Sequence, residues 1–193
     1  MIEISSGNRD GVWFTVAVNE KGQLMACSFS DNSKREAERV VKETVHAPFL
    51  EANNSATGQR LRELYRLFKG NGKADLKSFD LSGVSDFRRR VYRQLCKIPR
   101  GKVTTYGIVA EVLGSRKSSR AVGSAVAANP LPLAIPCHRV VPSTLHVGNY
   151  GTPGGRPTEG GYMKRAILER EGVKLHGNRI LKEYVWSPRK KVN

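Results

Sequence analysis

The apolar pattern switches from strand-like runs to helical spacing near residue 33 and, beyond Leu81-Ser82-Gly83, becomes a single apolar stripe set among arginines. A chain with that change of texture cannot be one uniform sheet or one uniform bundle, and its 193 residues suffice for two small bodies. Val12 to Val18 and Gln23 to Phe29 read as strands joined by Asn19-Glu20-Lys21-Gly22, a hairpin signature. From residue 33 the period becomes helical: Ala37, Val40, Val41 and Val45 share one face, and Ser33 with Glu36 three residues on has the form of a capping box. A second helix gathers Leu61, Leu64, Tyr65 and Phe68 and stops before Gly70-Asn71-Gly72. The expectation is an α+β protein with a small α/β lobe over residues 1–81, a mostly helical domain over 82–175, and a basic extension over 176–193.

In the second part, Phe87, Val91 and Leu95 form the stripe of a helix whose other faces carry Arg88, Arg89, Arg90 and Arg93. Thr104 or Thr105 can cap a short helix reaching Leu113, Gly114-Ser115-Arg116-Lys117 turns, and Ser118 or Ser119 opens another helix that Asn129-Pro130 ends. Two short helices across a tight turn fit a helix-turn-helix and equally an ordinary helical hairpin. The second helix is built of small residues, Ala121, Gly123, Ser124, Ala125, Ala127 and Ala128, which let a backbone approach a surface closely, with Arg120 projecting from its start.

Charge narrows the partner class. With 33 Lys+Arg against 17 Asp+Glu the formal charge is +16, which favours a polyanion, nucleic acid first, through Coulomb attraction and counterion release. No apolar run is long enough to span a membrane, and Met1-Ile2-Glu3-Ile4 lacks the layout of a secretion signal, so a cytoplasmic protein is expected. Cys27, Cys96 and Cys137 are odd in number and widely spaced, which argues against disulfides and against a cysteine-rich zinc site.

Cys137 lies between a proline and a histidine at the end of the apolar run Leu131-Pro132-Leu133-Ala134-Ile135. A neighbouring histidine and a basic surround can raise the thiolate fraction of a cysteine. A lone Cys-His pair, though, is also what a structural buried cysteine looks like. The longer pattern is more specific. Ile135-Pro136-Cys137-His138-Arg139-Val140-Val141, preceded by Arg120-Ala121-Val122-Gly123 and Asn129-Pro130 and followed by Val147-Gly148-Asn149-Tyr150, closely resembles the O6-alkylguanine-DNA alkyltransferase family over about residues 85–175.

That resemblance implies a ribonuclease-H-like amino-terminal lobe and a carboxy-terminal domain carrying a helix-turn-helix and the reactive cysteine. It implies direct, single-turnover repair without a cofactor or metal, by a monomer that acts on double-stranded DNA containing O6-alkylguanine, with O4-alkylthymine as a further candidate substrate. Position by position, Cys137 matches the alkyl acceptor, His138 the base that draws off its proton, and Glu171 the carboxylate that orients the histidine. Tyr106 matches a tyrosine that helps rotate the nucleotide and protonates the leaving guanine, and Arg120 an arginine that fills the gap left by the rotated base. Asn129 matches the asparagine tying the recognition helix to the active-site strand. The carbonyls of Cys137 and Val140 would read the guanine amino group, Ser115 and Ser143 would touch the DNA backbone, and Tyr150 would belong to the base pocket.

The sequence departs from the family's pattern in three places. The stretch 151–161 makes a pocket loop longer than usual and rich in glycine and proline. Cys27 and His46 are too few for the zinc that some members carry. The end from Trp186 adds a basic tail. Three other readings remain at this stage: a base-flipping protein without transfer, which the presence of Cys137 opposes; a helix-turn-helix transcription factor, which would prefer a base sequence; and a cysteine hydrolase, which would turn over.

Overall fold

A computed structural model describes residues 1–150 and 161–188. The chain opens with β1 (Ile2–Arg9), β2 (Val12–Val18) and β3 (Leu24–Ser30), an antiparallel meander. The β1–β2 connection is Asp10-Gly11, both at positive φ (51° and 77°), the backbone that a two-residue hairpin of matching twist requires. After helix α1 (Lys34–Val45), the short β4 (Phe49–Glu51) returns parallel to β1, giving the sheet order β3-β2-β1-β4. Helix α2 (Ser55–Phe68) follows, capped by Asn54 and Thr57 in a reciprocal capping box.

Alternation on the strands assigns each helix a face. Ile4, Ala17 and Ala26 pack with Val41 of α1, while Phe14, Val16 and Val18 join Leu64 and Phe68 of α2. The α2 side does not close on itself: the same core runs on through Leu95, Ile98, Leu131, Leu133, Ile135, Cys137 and Tyr150. The sheet layer is thus half of the packing that surrounds the cysteine.

The rest is mainly helical. Helix α3 (Asp86–Leu95) buries Val91, Tyr92 and Leu95, and the Tyr92 hydroxyl donates to the carbonyls of Ala125 (3.0 Å) and Ala128 (2.9 Å). Strand β5 (Thr104–Thr105) leads into α4 (Tyr106–Val112), where the Thr105 side chain accepts from the Ile108 N–H. A tight turn at Arg116–Ser118 connects it to α5 (Ser119–Ala127). Strand β6 (Val140–Val141) pairs parallel with β5, and α6 (Tyr162–Arg170) ends at Glu171. A small hairpin, β7 (Leu175–His176) and β8 (Arg179–Ile180), closes the described fold.

Three sequence expectations differ from the structure. Phe87, in the first turn of α3, is 36% exposed rather than part of the buried stripe. The Ser33–Glu36 box forms by half: Ser33 accepts from Glu36 N–H (3.1 Å), but the Glu36 carboxylate turns to Ser30 (2.7 Å) and Asn32 (3.1 Å). The stretch after 176 is not simply a basic extension, since Ile180 is buried at 2%. Backbone bonds between Val103 and Tyr184 (2.9 Å) and between Trp186 and Val103 (2.6 Å) also fasten that segment to β5. Its apolar residues cover a second core of Val103, Val141, Leu145, Leu168 and Val173. The expected long loop after Tyr150 lies, except for Gly161, outside the described residues, as do residues 189–193 of the tail.

Candidate active site

The cysteine is placed by a short piece of chain that folds against its own side chains. Past the end of α5, the Asn129 carboxamide accepts from Leu131 N–H (3.0 Å) and donates to the Ile135 carbonyl (2.9 Å), clamping a tight loop. Ile135 N–H returns to the Leu131 carbonyl (2.7 Å), with Leu133 held at φ +70°, a conformation costly for a branched residue and tolerated only where surroundings dictate it. Those surroundings include the first sheet. Cys27 of β3 donates its N–H to the Pro130 carbonyl (2.9 Å) and its thiol to the Pro132 carbonyl (3.3 Å). The loop ends in a single 3-10 turn, Cys137–Arg139, that leads into β6.

Cys137 is 7% exposed and His138 is 1% exposed. His138 Nε2 lies 3.0 Å from Glu171 Oε1. Arg139 holds the same carboxylate with Nε to Oε2 (2.8 Å) and Nη2 to Oε1 (2.7 Å), while its Nη1 donates to the Ile98 carbonyl (2.8 Å). Burial alone would raise the Glu171 pKa, but the donors from His138 and Arg139 outweigh it and hold the carboxyl down at about 2. A permanently ionised acceptor at Nε2 requires the proton on that nitrogen, which leaves Nδ1 as the basic one. Nδ1 is buried and has no hydrogen-bond partner among the described residues. Burial lowers the His138 pKa below its ordinary value despite Glu171, so the ring is neutral near pH 7 and able to take a proton.

The thiol differs from the sequence expectation of an enriched thiolate. Burial pushes the Cys137 pKa up, and hydrogen bonds from Asn129 and Tyr150 with the charge of Lys164 only partly offset it. At rest the group is a neutral thiol, because removing sulfur from water penalises the anion more than its neighbours repay. Lys164 was not singled out from sequence. It is 2% exposed, its ammonium donates to the Val140 carbonyl (2.8 Å), and burial lowers its pKa to about 8. Arg139 was quoted only as part of the motif. Neither lies in a purely apolar run, Lys164 being followed by Arg165 and Arg139 preceded by His138, so nothing in the sequence signalled their burial.

Of the other expected residues, Tyr150 is buried beside Cys137, its ring 6.1 Å from Phe29, and burial followed by the cysteine's charge pushes its pKa well up. Tyr106, the first residue of α4, is half-buried and close enough to Cys137 to feel its charge, with burial the larger cause of its raised pKa. Its ring faces the small surface of α5, where a β-carbon on Gly123 would stand 4.0 Å away. Arg120, Ser115 and Ser143 lie exposed, outside the buried cluster. The carbonyl of Cys137 accepts from Val140 N–H and that of Val140 from Lys164. Among the described residues no cluster of three or more His, Cys, Asp or Glu could hold a metal ion, and no helix is long and apolar enough to cross a membrane.

Comparison with known proteins converges on one family. Residues 86–173 match the family model for the 6-O-methylguanine DNA methyltransferase DNA-binding domain. A methylated-DNA–protein-cysteine methyltransferase of Thermococcus sibiricus is 34% identical over 185 residues, covering 90% of this chain and 98% of that one. One of the same name from Methanothermobacter thermautotrophicus is 40% identical over 104 residues, 53% of each chain, so that alignment spans about half of the relative. Among solved structures, the O6-methylguanine-DNA methyltransferase of Pyrococcus kodakaraensis superposes with a TM-score of 0.68 at 25% identity, covering 90% of this chain and 100% of that one. Mycobacterium tuberculosis OGT in complex with DNA gives 0.62 at 26% identity, covering 88% and 92%.

Proposed function

The chain belongs to the methylated-DNA–protein-cysteine methyltransferase family, and on that premise we propose that it repairs DNA by moving an alkyl group from O6 of guanine onto Cys137, once per molecule. The observation that carries this reading is the buried His138–Glu171 pair next to the buried Cys137, in which the histidine is neutral and its Nδ1 is the nitrogen not held by the carboxylate. The thiol proton passes through one water to His138 Nδ1, and the sulfur attacks the alkyl carbon. The carbon–oxygen bond breaks, guanine leaves with its electron pair, and a proton from Tyr106 or solvent neutralises it. Thiol and O6-alkylguanine become thioether and guanine, and no redox partner enters. A thioether offers no route back to the thiol, so the protein is consumed. Alkyl transfer from O4 of thymine would follow the same course.

A thiol this deep cannot reach a base inside a duplex, so the nucleotide must rotate out. We assign that task to α4 and α5 acting as a helix-turn-helix on double-stranded DNA: the small face of α5 lies against the backbone, Arg120 fills the vacated position, Tyr106 turns the nucleotide, and Ser115 and Ser143 touch phosphate. Residues 1–81 form a ribonuclease-H-like lobe that supports the cysteine loop, and residues 82–175 the acting domain. The protein works as a monomer on the DNA of the cytoplasm, without a cofactor. The test is a titration against duplex carrying one O6-methylguanine, read by intact-protein and peptide mass spectrometry. One methyl per chain, on Cys137 and absent from Cys137→Ser, is the expected result. Several guanines repaired per chain, or the methyl elsewhere, would overturn the reading.

A further inference from the structure

On the side of the catalytic turn to which Arg139 points, a cleft of about 520 Å³ opens between the end of α2, residues 72–74, the turn after α3 and the cysteine loop. Its floor is apolar, with Leu67, Ile98, Leu133 and Ala134, and its walls carry Lys73, Lys97, Arg100 and Arg139 but no carboxylate. Only Arg139 is neutralised, by Glu171 behind it. Arg100 donates to the uncharged Arg170 carbonyl (3.2 Å), and the Lys73 and Lys97 side chains have no hydrogen-bond or ion-pair partner among the described residues. Lys73 lines the cleft together with Cys96.

A chain of charge +16 has many exposed cations, so charge alone marks nothing. Ion pairs neutralise some cations elsewhere, such as Arg39 with Glu43, Arg60 with Glu63, Lys69 with Asp10 and Arg165 with Glu169, and leave others open, so shape is what sets the cleft apart. In the cleft, three uncompensated cations converge on one concavity. Its volume falls in the range of small-molecule sites, whereas a duplex presents its phosphates on a convex surface. Convergent ammonium and guanidinium groups suit an anion with several oxygens and more than one charge.

We propose that this cleft binds a small polyvalent phosphate, held by Lys73, Lys97 and Arg100, with any organic portion resting on Leu133 and Ala134. The site is separate from the alkyl-transfer chemistry and stands whether or not that reading holds. The probe is inorganic pyrophosphate, titrated calorimetrically at constant ionic strength into the full chain, into Lys73→Ala/Lys97→Ala, and into Arg116→Ala/Lys117→Ala as a control of equal charge loss at the α4–α5 turn. Neither pair of residues bears a partner that folding depends on, and thermal melting verifies that each variant is folded. The expected result is one saturable site per chain, weakened about tenfold (~1.4 kcal/mol) in the cleft variant and unchanged in the control. No saturable binding to the full chain, or equal weakening in both variants, would overturn the proposal.

Discussion

Replacing Arg139 with methionine separates what the shared carboxylate contributes by charge from what it contributes by packing. Arg139 supplies two of the three hydrogen bonds that hold Glu171, the other being from His138. Moving the carboxyl from its ordinary 4.5 to about 2 corresponds to ~3 kcal/mol at ~1.4 kcal/mol per tenfold change in proton affinity. The Glu171 side chain is 2% exposed, so solvent screening takes little from that figure. Because the folded-state value is depressed, the contribution is complete above about pH 4.5 and is lost as pH falls toward the folded value of about 2. With most of the donors gone, Arg139→Met should be less stable than the parent by about 2–3 kcal/mol at pH 7, narrowing to about 1 kcal/mol at pH 3. Urea unfolding, followed by the fluorescence of Trp13 and Trp186 at both pH values, measures the gap. A gap of the same size at pH 7 and pH 3 would refute the electrostatic account and assign the loss to packing of the arginine stem.

Arg120→Ala should slow transfer from duplex DNA by at least about tenfold, equivalent to ~1.4 kcal/mol of lost extrusion, while the rate with free O6-benzylguanine stays the same; equal losses would place Arg120 in the pocket instead. Since burial lowers the His138 pKa, the rate with the free base should decline only below pH 6.5, and His138→Gln should remove that acid limb; a decline beginning above pH 6.5 would contradict the neutral resting ring. Lys164→Met removes a charge that favours the thiolate, so the pH at which iodoacetamide half-labels Cys137 should rise, and a fall or no change would show that the ammonium does not act on the sulfur. The alkylated protein carries an extra group in a site that is 7% exposed, so overpacking of about 1–3 kcal/mol should lower its melting temperature by several degrees relative to the fresh protein in parallel scans.

Local signals carried the helices. Ser33, Asn54 and Thr105 cap helices as short polar side chains do, and the apolar faces of α1 and α2 are the ones their spacing indicates. Strand β1 went unread although Asp10-Gly11 is a strong hairpin signal, because Ser5, Ser6, Gly7 and Asn8 hide the alternation of a strand whose exposed end is polar. What depends on contacts far apart in sequence was not legible. Nothing in the order of residues shows that Arg139 shares the carboxylate of Glu171, 32 positions away, with His138, or that Lys164 donates to Val140. The thiol's protonation state was misjudged for the same reason: a basic neighbourhood in sequence is no measure of desolvation, which only the fold determines.

The amino-terminal sheet has no assigned part in the chemistry, yet it is part of how the cysteine is held. The loop before Cys137 keeps Leu133 in a left-handed conformation, and an isolated loop would relax away from it. Two forces oppose that relaxation. Asn129 clamps the loop from within, and β3 clamps it from outside, through two bonds from Cys27 and the contact of Phe29 with Tyr150. The same packing excludes water from the sulfur and so keeps it a thiol until a base withdraws the proton. On the proposed reading Cys137 is spent once, and this arrangement guards it, because an exposed thiolate would be lost to any soluble electrophile. The burial that makes Cys137 a poor resting nucleophile therefore also reserves it for a substrate that can enter the site and complete the relay.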